Sequence, residues 1–203
     1  MFGASPTAAG ATVTPETAMR CPTVYGSVKV IAESVAQLPL HLYRRTADGG
    51  KERAADHPLA EILNGQANEW TSAAEFRSFM QTSLLLYGNA FAYIGRTNGV
   101  IVEMIPLPAP TVTVEVDTVT LEPSYAVTTK GGEKRIYRRQ DVLHLKGLGT
   151  NPNVGLSPVT QMREAIGLSI AMEEHASRVF GGGAHGPAFT VDARPRRADR
   201  HLA

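Results

Sequence analysis

The hydrophobic repeat of this chain changes twice, and that limits its fold more than any other feature. Up to Tyr87 apolar residues recur mainly at helical spacing. From Ala90 to about Leu145 they fall in short alternating runs, and from Ser157 the helical spacing returns. The order predicts an α+β chain in which amphipathic helices pack on a mixed, mainly antiparallel strand region, with a long helix near the C-terminus. At 203 residues the chain can bury a real core. With 43% hydrophobic and 19% charged residues, neither wholesale disorder nor a coiled-coil rod fits.

Prolines and glycines mark the elements. Thr14 followed by Pro15 reads as an N-cap with proline at the first helical position, and Pro22 restarts the helix. Val24, Tyr25, Val28, Ile31, Ala32 and Val35 then trace a face expected to enter the core, and Pro39 stops it. Leu40 to Arg45 alternates as a half-buried strand, and Ala47-Asp48-Gly49-Gly50 forms a turn. Asp56 is expected to cap a short helix that ends at Asn64-Gly65. Ser72 and Glu75 have capping-box spacing, opening a helix that runs to Gly88-Asn89 with Phe76, Phe79, Met80, Ser83, Leu84 and Tyr87 on one side.

Strands are expected at Ala90–Ile94 and Val100–Ile105 around an Asn98-Gly99 hairpin turn. Others follow at Thr111–Val116, Ser124–Thr129, Ile136–Arg138 and Val142–Leu145. Ser157-Pro158 opens the longest helix. Its face of Met162, Ala165, Ile166, Ser169, Met172, Ala176, Val179 and Phe180 is expected to be core, over about 35 Å at 1.5 Å per residue. Gly181-Gly182-Gly183 terminates it.

Catalytic and metal motifs are scarce. HExxH and GxSxG do not occur, and the glycine run lacks the Lys-Ser/Thr of a phosphate loop. Glu173, Glu174 and His175 are adjacent on a helix and point in different directions. The lone Cys21 leaves no disulfide framework and no Cys-based zinc site within one chain. A hydrolase or transferase would need His144, His175 and the Glu173-Glu174 pair to meet in one pocket.

With 20 Lys and Arg against 19 Asp and Glu, the formal net charge of +1 disfavours a protein that is basic over its whole surface. Lys134, Arg135, Arg138 and Arg139, interleaved by Tyr137, could touch phosphates, and they could equally be a solvated strand edge that deters pairing. An independent nucleic-acid-binding module built on them is the alternative reading. A further basic group, Arg194, Arg196, Arg197 and Arg200, lies in the tail. No apolar stretch is long enough to cross a bilayer, and MFGASPTAAGATVTP is not a secretory signal, so no membrane partner is expected.

The run Val24-Tyr25-Gly26-Ser27-Val28-Lys29-Val30-Ile31-Ala32-Glu33-Ser34-Val35-Ala36-Gln37-Leu38-Pro39-Leu40 resembles the N-terminal helix-to-strand signature of HK97-type tailed-phage portal proteins. Later segments resemble that family in the same order: Asp56-His57-Pro58-Leu59 with Leu63-Asn64, Leu84 to Ile94 with its Gly88-Asn89, Ile105-Pro106-Leu107, Asp141 to Leu145, and Gly155-Leu156-Ser157-Pro158 leading into Ala165 to Leu168. The resemblance implies a structural, non-enzymatic subunit without a cofactor, representing the wing-like part of a portal. It implies a ring, usually of twelve copies, at one capsid vertex, with double-stranded DNA passing through its channel. The implied partners are further copies of the chain, the terminase large subunit, and capsid and head–tail connector proteins. The implied location is the virion, and the host cytoplasm during assembly.

A portal of this type is roughly twice this long. The expected organisation is a flexible arm at 1–13, a portal-like region at 14–189, and a basic, disordered tail at 190–203 that does not resemble the family. That tail reads as a shifted frame or a truncated prophage remnant.

Overall fold

A computed structural model describes residues 6–182. The expectations for the tail, for Gly183 and for the first five residues lie outside the described residues.

Helix α1 (Pro15–Ala18) is capped by Thr14, whose hydroxyl accepts from the Thr17 N–H. Helix α2 (Pro22–Gln37) restarts at the second proline. Its buried face is rotated from the expected one. Val28, Ala32 and Ala36 are buried, while Tyr25 and Ile31 are exposed. The alanines allow close approach to the central helix, and the larger side chains lie outside that seam.

The ribbon β1 (Tyr43–Arg45) and β2 (Lys51–Arg53) is antiparallel. Its first strand begins later than expected because Leu40 is paired otherwise. The Asn64 side chain accepts from the Leu40 N–H at 2.9 Å and donates to the Leu40 carbonyl at 2.8 Å, as a neighbouring strand would. Helix α3 (Pro58–Asn64) is capped by His57 and not by Asp56. His57 Nδ1 accepts from the Leu59 N–H at 3.1 Å, and Asp56 instead forms an ion pair with Arg44.

A short ribbon of β3 (Gln66–Asn68) and β4 (Thr71–Ser72) leads into α4 (Ala73–Tyr87). The Ser72–Glu75 capping box forms as the spacing predicts, and Gly88 ends the helix at φ +73°. Strands β5 (Asn89–Thr97) and β6 (Val100–Leu107) form the expected hairpin, with Asn98 and Gly99 both at positive φ. Strand β10 (Val142–Lys146) pairs on the other side of β5, giving the antiparallel order β10-β5-β6. A second antiparallel sheet contains β7 (Val112–Val116), β8 (Pro123–Thr128) and β9 (Lys134–Arg138), in that order.

Helix α4 lies between α2 and the first sheet. One core joins Ile62, Phe76, Met80, Ala90, Ala92 and Met104 beneath α4. A second joins Ala18, Val28, Leu86 and Val159 where the helices meet. A third, of Phe91, Ala109, Tyr125 and Val142, seals the two sheets together. Strand β5 is therefore buried on both faces, with Ala90 and Ala92 toward the helix and Phe91 toward the second sheet.

The expected long helix is broken. Helix α5 (Pro158–Gln161) ends at Met162, at φ −101° and ψ 14°, and α6 (Arg163–Gly181) continues from there. The Ser157 hydroxyl donates to the Leu86 carbonyl at 2.7 Å, and Val159 is buried, so the first turn is docked on α4 while α6 departs from it.

The face of α6 expected to be core is largely open. Met172 is 63% exposed and Phe180 76% exposed, and Met162, Leu168 and Val179 are exposed with them. The helix packs through its small residues instead. Buried Gly167 lies against Thr7, and Ser169 meets Cys21 Sγ at 3.5 Å. Residues 6–13 fold back onto this side, where the Ala8 N–H donates to Glu164 at 3.0 Å.

Candidate functional site

Three places in the structure concentrate polar chemistry or uncovered surface. The first is the junction where α4 ends, β5 begins, β10 ends and the segment before α5 passes. Gly88 and Gly155 meet there backbone to backbone. A Cβ on Gly88 would lie 2.1 Å from the Leu156 carbonyl oxygen, and one on Gly155 would lie 2.2 Å from the Gly88 carbonyl oxygen. The Gly147 N–H donates to that same Gly88 oxygen at 2.9 Å.

Asn89 fastens the junction. Its amide donates to the Tyr87 carbonyl at 3.2 Å and to the Gly155 carbonyl at 2.9 Å. Its Oδ1 accepts from the Gly155 N–H at 2.8 Å and lies 3.0 Å from His144 Nε2. An amide oxygen can only accept, so Nε2 carries the proton and Nδ1 accepts from the Tyr125 hydroxyl at 3.3 Å. The imidazole stacks on Phe91 at 4.3 Å and meets the Tyr125 edge at 5.5 Å.

Burial among these rings, with the Lys146 charge nearby, pushes the His144 pKa down to about 4. Burial likewise raises that of Tyr125. At the helix end, Tyr87 donates to Glu16 at 3.1 Å, and burial plus that bond push its pKa up to about 12. This is a satisfied structural node in which the histidine is neutral and holds no free ligand position.

His175, Glu173 and Glu174 do not join it. They lie on exposed turns of α6, with Glu173 and Glu174 in a shallow depression beside Arg178, while His144 belongs to a different cleft. Among the described residues no group of three or more His, Cys, Asp or Glu could hold a metal ion.

The second place is the basic strand β9, an edge of its sheet. Lys134 forms an ion pair with Glu115 at 2.6 Å, and Arg138 one with Asp141 at 3.1 Å. Arg135 and Arg139 make no such pair. Tyr137 turns inward and packs against Tyr93, with ring centroids 5.2 Å apart.

The third is the uncovered apolar surface. Ala165, Leu168, Met172 and Val179 lie along the side of α6 away from its packed face. Val30, Ile31 and Leu38 do the same on α2.

Sequence reasoning missed Arg77, which sits in α4 among apolar neighbours. Its Nε and Nη2 donate to the Ala36 carbonyl at 3.1 and 2.6 Å, and its Nη1 donates to the Leu63 carbonyl. One guanidinium thereby closes the C-terminal ends of both α2 and α3. A lone arginine inside a helical apolar pattern was its one signal.

Antiparallel sheets held against a central helix, with an outlying helix after a docked turn, define a portal-type architecture. A subunit of the neck of an empty gene transfer agent particle superposes with a TM-score of 0.70 at 24% identity, covering 89% of this chain and 48% of that one. An HK97 family phage portal protein from Corynebacterium diphtheriae gives a TM-score of 0.58 at 17% identity, covering 81% and 48%.

The sequence model of the phage portal protein family matches residues 22–199, and the chain belongs to that family. It is 28% identical to the portal protein of Enterobacteria phage HK97 over 177 residues, covering 86% of this chain and 41% of that one. To the probable portal protein of Streptomyces phage phiC31 it is 31% identical over 210 residues, covering 97% and 44%. The chain thus spans less than half the length of these two relatives. Among the described residues no helix is long and apolar enough to cross a membrane.

Proposed function

We propose that this chain supplies the wing-side part of a portal ring, a structural conduit for double-stranded DNA at a capsid vertex during packaging and ejection. The ring is made of further copies of the chain. The terminase large subunit, the capsid and the head–tail connector proteins are its partners, and its location is the virion after assembly in the host cytoplasm. Family membership supports the reading, as does the fold shared with a neck that has C12 symmetry. The observation that carries it is the open apolar side of α6 and α2, which a lone chain leaves in water and a neighbouring subunit would cover.

No catalytic step is assigned, because the His144 and Glu173-Glu174 candidates lie in separate places and His144 is committed to the fold. Lys134, Arg135, Arg138 and Arg139 are candidate phosphate contacts. Of these, Arg135 and Arg139 are the ones whose charge no neighbouring carboxylate neutralises.

Sedimentation velocity over a range of concentrations tests the proposal. The expected result is association beyond the monomer that rises with concentration, and its loss in the double variant Leu168→Glu, Met172→Glu. A wild-type chain that stays monomeric throughout and melts cooperatively would refute it.

A further inference from the structure

The β1–β2 ribbon separates its charges by face. Its register opposes Tyr43 to Arg53, Arg44 to Glu52, and Arg45 to Lys51. Side chains of directly opposed residues share a face, and successive residues alternate. Tyr43, Arg45, Lys51 and Arg53 therefore stand on one face, with Arg44 and Glu52 on the other.

The second face is neutralised. Arg44 pairs with Glu52 and with Asp56, each at 3.4 Å. The first face carries three cations that form no ion pair. The acidic groups nearest in the chain are already engaged: Glu52 and Asp56 with Arg44, and Asp48 with the Gly50 N–H in the turn. All six strand residues are exposed, and Tyr43 is 55% exposed beside the cations.

Most other described cations differ. Lys29, Arg96, Lys134, Arg138 and Arg163 hold carboxylates, and Arg77, Lys146 and Arg178 hold carbonyls. A ribbon that merely deterred edge pairing would have no need to sort its charges by face.

We infer that the Tyr43, Arg45, Lys51 and Arg53 face of the ribbon binds the phosphate backbone of duplex DNA. Cross-strand neighbours on a face stand about 5 Å apart, and residues two apart on a strand about 7 Å. One DNA strand carries a phosphate about every 3.4 Å of helix axis, so three cations in that area face two or three phosphates. Such contacts are independent of sequence and weaken with salt, which suits a duplex that must slide. A two-stranded ribbon with no third strand is also marginal alone, and a bound polyanion would steady it. The inference rests on the conduit reading for its ligand.

The test is fluorescence anisotropy of a labelled 30-base-pair duplex, titrated with the full chain across a series of salt concentrations. Two charge-matched variants are compared with wild type. One is Arg45→Gln, Lys51→Gln, Arg53→Gln. The other is Lys29→Gln, Lys146→Gln, Arg163→Gln, which removes the same net charge elsewhere. The ribbon variant is expected to bind at least about tenfold more weakly at low salt. Its log–log salt slope should fall by about 2.7, at 0.9 per lost phosphate contact. The control is expected to stay within about threefold of wild type, and both variants should keep the wild-type circular dichroism and melting point.

Equal losses in the two variants, an unchanged ribbon variant, or a wild-type chain that does not bind the duplex at low salt would each overturn the inference. None of those outcomes touches the conduit reading, which stands or falls on the sedimentation experiment.

Discussion

Replacing Asn89 with alanine should remove about 3–5 kcal/mol of stability. The side chain makes four contacts between 2.8 and 3.2 Å, to the Tyr87 carbonyl, both backbone groups of Gly155, and His144 Nε2. Alanine deletes them all. The Gly155 N–H and carbonyl and the His144 N–H then lose their partner where the Gly88–Gly155 contact leaves little room for water. Each stranded group costs about 1–3 kcal/mol, and partial exposure holds each near the low end. Urea unfolding followed by far-ultraviolet circular dichroism, at fixed protein concentration, reads the loss. With a slope near 2 kcal/mol/M the midpoint should fall by about 1.5–2.5 M with the slope unchanged. Because Asn89 and His144 share a bond, a cycle with His144→Phe should show a coupling of at least about 0.5 kcal/mol. A loss below about 1 kcal/mol, additive with His144→Phe, would show that the junction is held by backbone packing and not by the amide.

Other consequences follow from the same geometry. Gly155→Ala places a Cβ 2.2 Å from the Gly88 oxygen and 2.8 Å from the Gly147 nitrogen, both backbone atoms that no rotamer can move. The melting point should drop by at least about 6 °C, and a shift under about 2 °C would contradict the close approach. Arg77→Met keeps the aliphatic stem but removes the donors to Ala36 and Leu63. It should cost about 2–4 kcal/mol and speed amide exchange in the last turns of α2 and α3 before the rest of the chain. His144 gives a pH dependence. Its folded pKa of about 4 lies below the ordinary 6.5, so the unfolded chain takes the proton more readily between those values. Its contribution is complete above about pH 6.5 and is lost as pH falls to about 4. Since the ring is only half-buried, solvent screening limits the loss to about 1–2 kcal/mol. His144→Phe should lower stability at neutral pH yet flatten the curve across that window, and an unchanged curve would show that the ring titrates normally.

Local chemistry was legible in the sequence wherever one residue dictates it. Thr14 and Ser72 cap the helices their spacing announced, and Asn98-Gly99 turns the hairpin. Gly88 takes the left-handed conformation a helix stop requires. The expectations that failed depended on partners far along the chain. His57 displaced Asp56 as the cap because Arg44, from a strand not otherwise tied to α3, claimed the carboxylate. Leu40 lost its strand to the amide of Asn64. The break at Met162 needed the Leu86 carbonyl as an anchor for Ser157. Helical periodicity placed the apolar stripe of α6 correctly, but it could not say whether that stripe faces this chain's own core or something outside it.

That last distinction decides how the open helix faces should be understood. Loose packing would leave apolar residues outside and strand polar groups inside. Here the interior is closely made: among the described residues no buried side-chain nitrogen or oxygen lacks a hydrogen-bond partner, and glycines meet backbone to backbone at the Asn89 junction. The buried set is rich in alanine, from Ala18 through Ala32, Ala67, Ala90, Ala92 and Ala126, while Leu168, Met172, Val179 and Phe180 stand in solvent. The large apolar side chains of α6 are thus distributed against the usual preference in a chain that meets its other packing requirements. Burying Leu168, Met172 and Val179 against a neighbour would gain about 1.5–3 kcal/mol each, comparable in sum with the whole stability of a marginal domain. A lone chain with so small-residue a core is only modestly stable, and an assembled one gains what its core lacks. Folding and ring formation are then coupled, and the apparent melting point should rise with protein concentration.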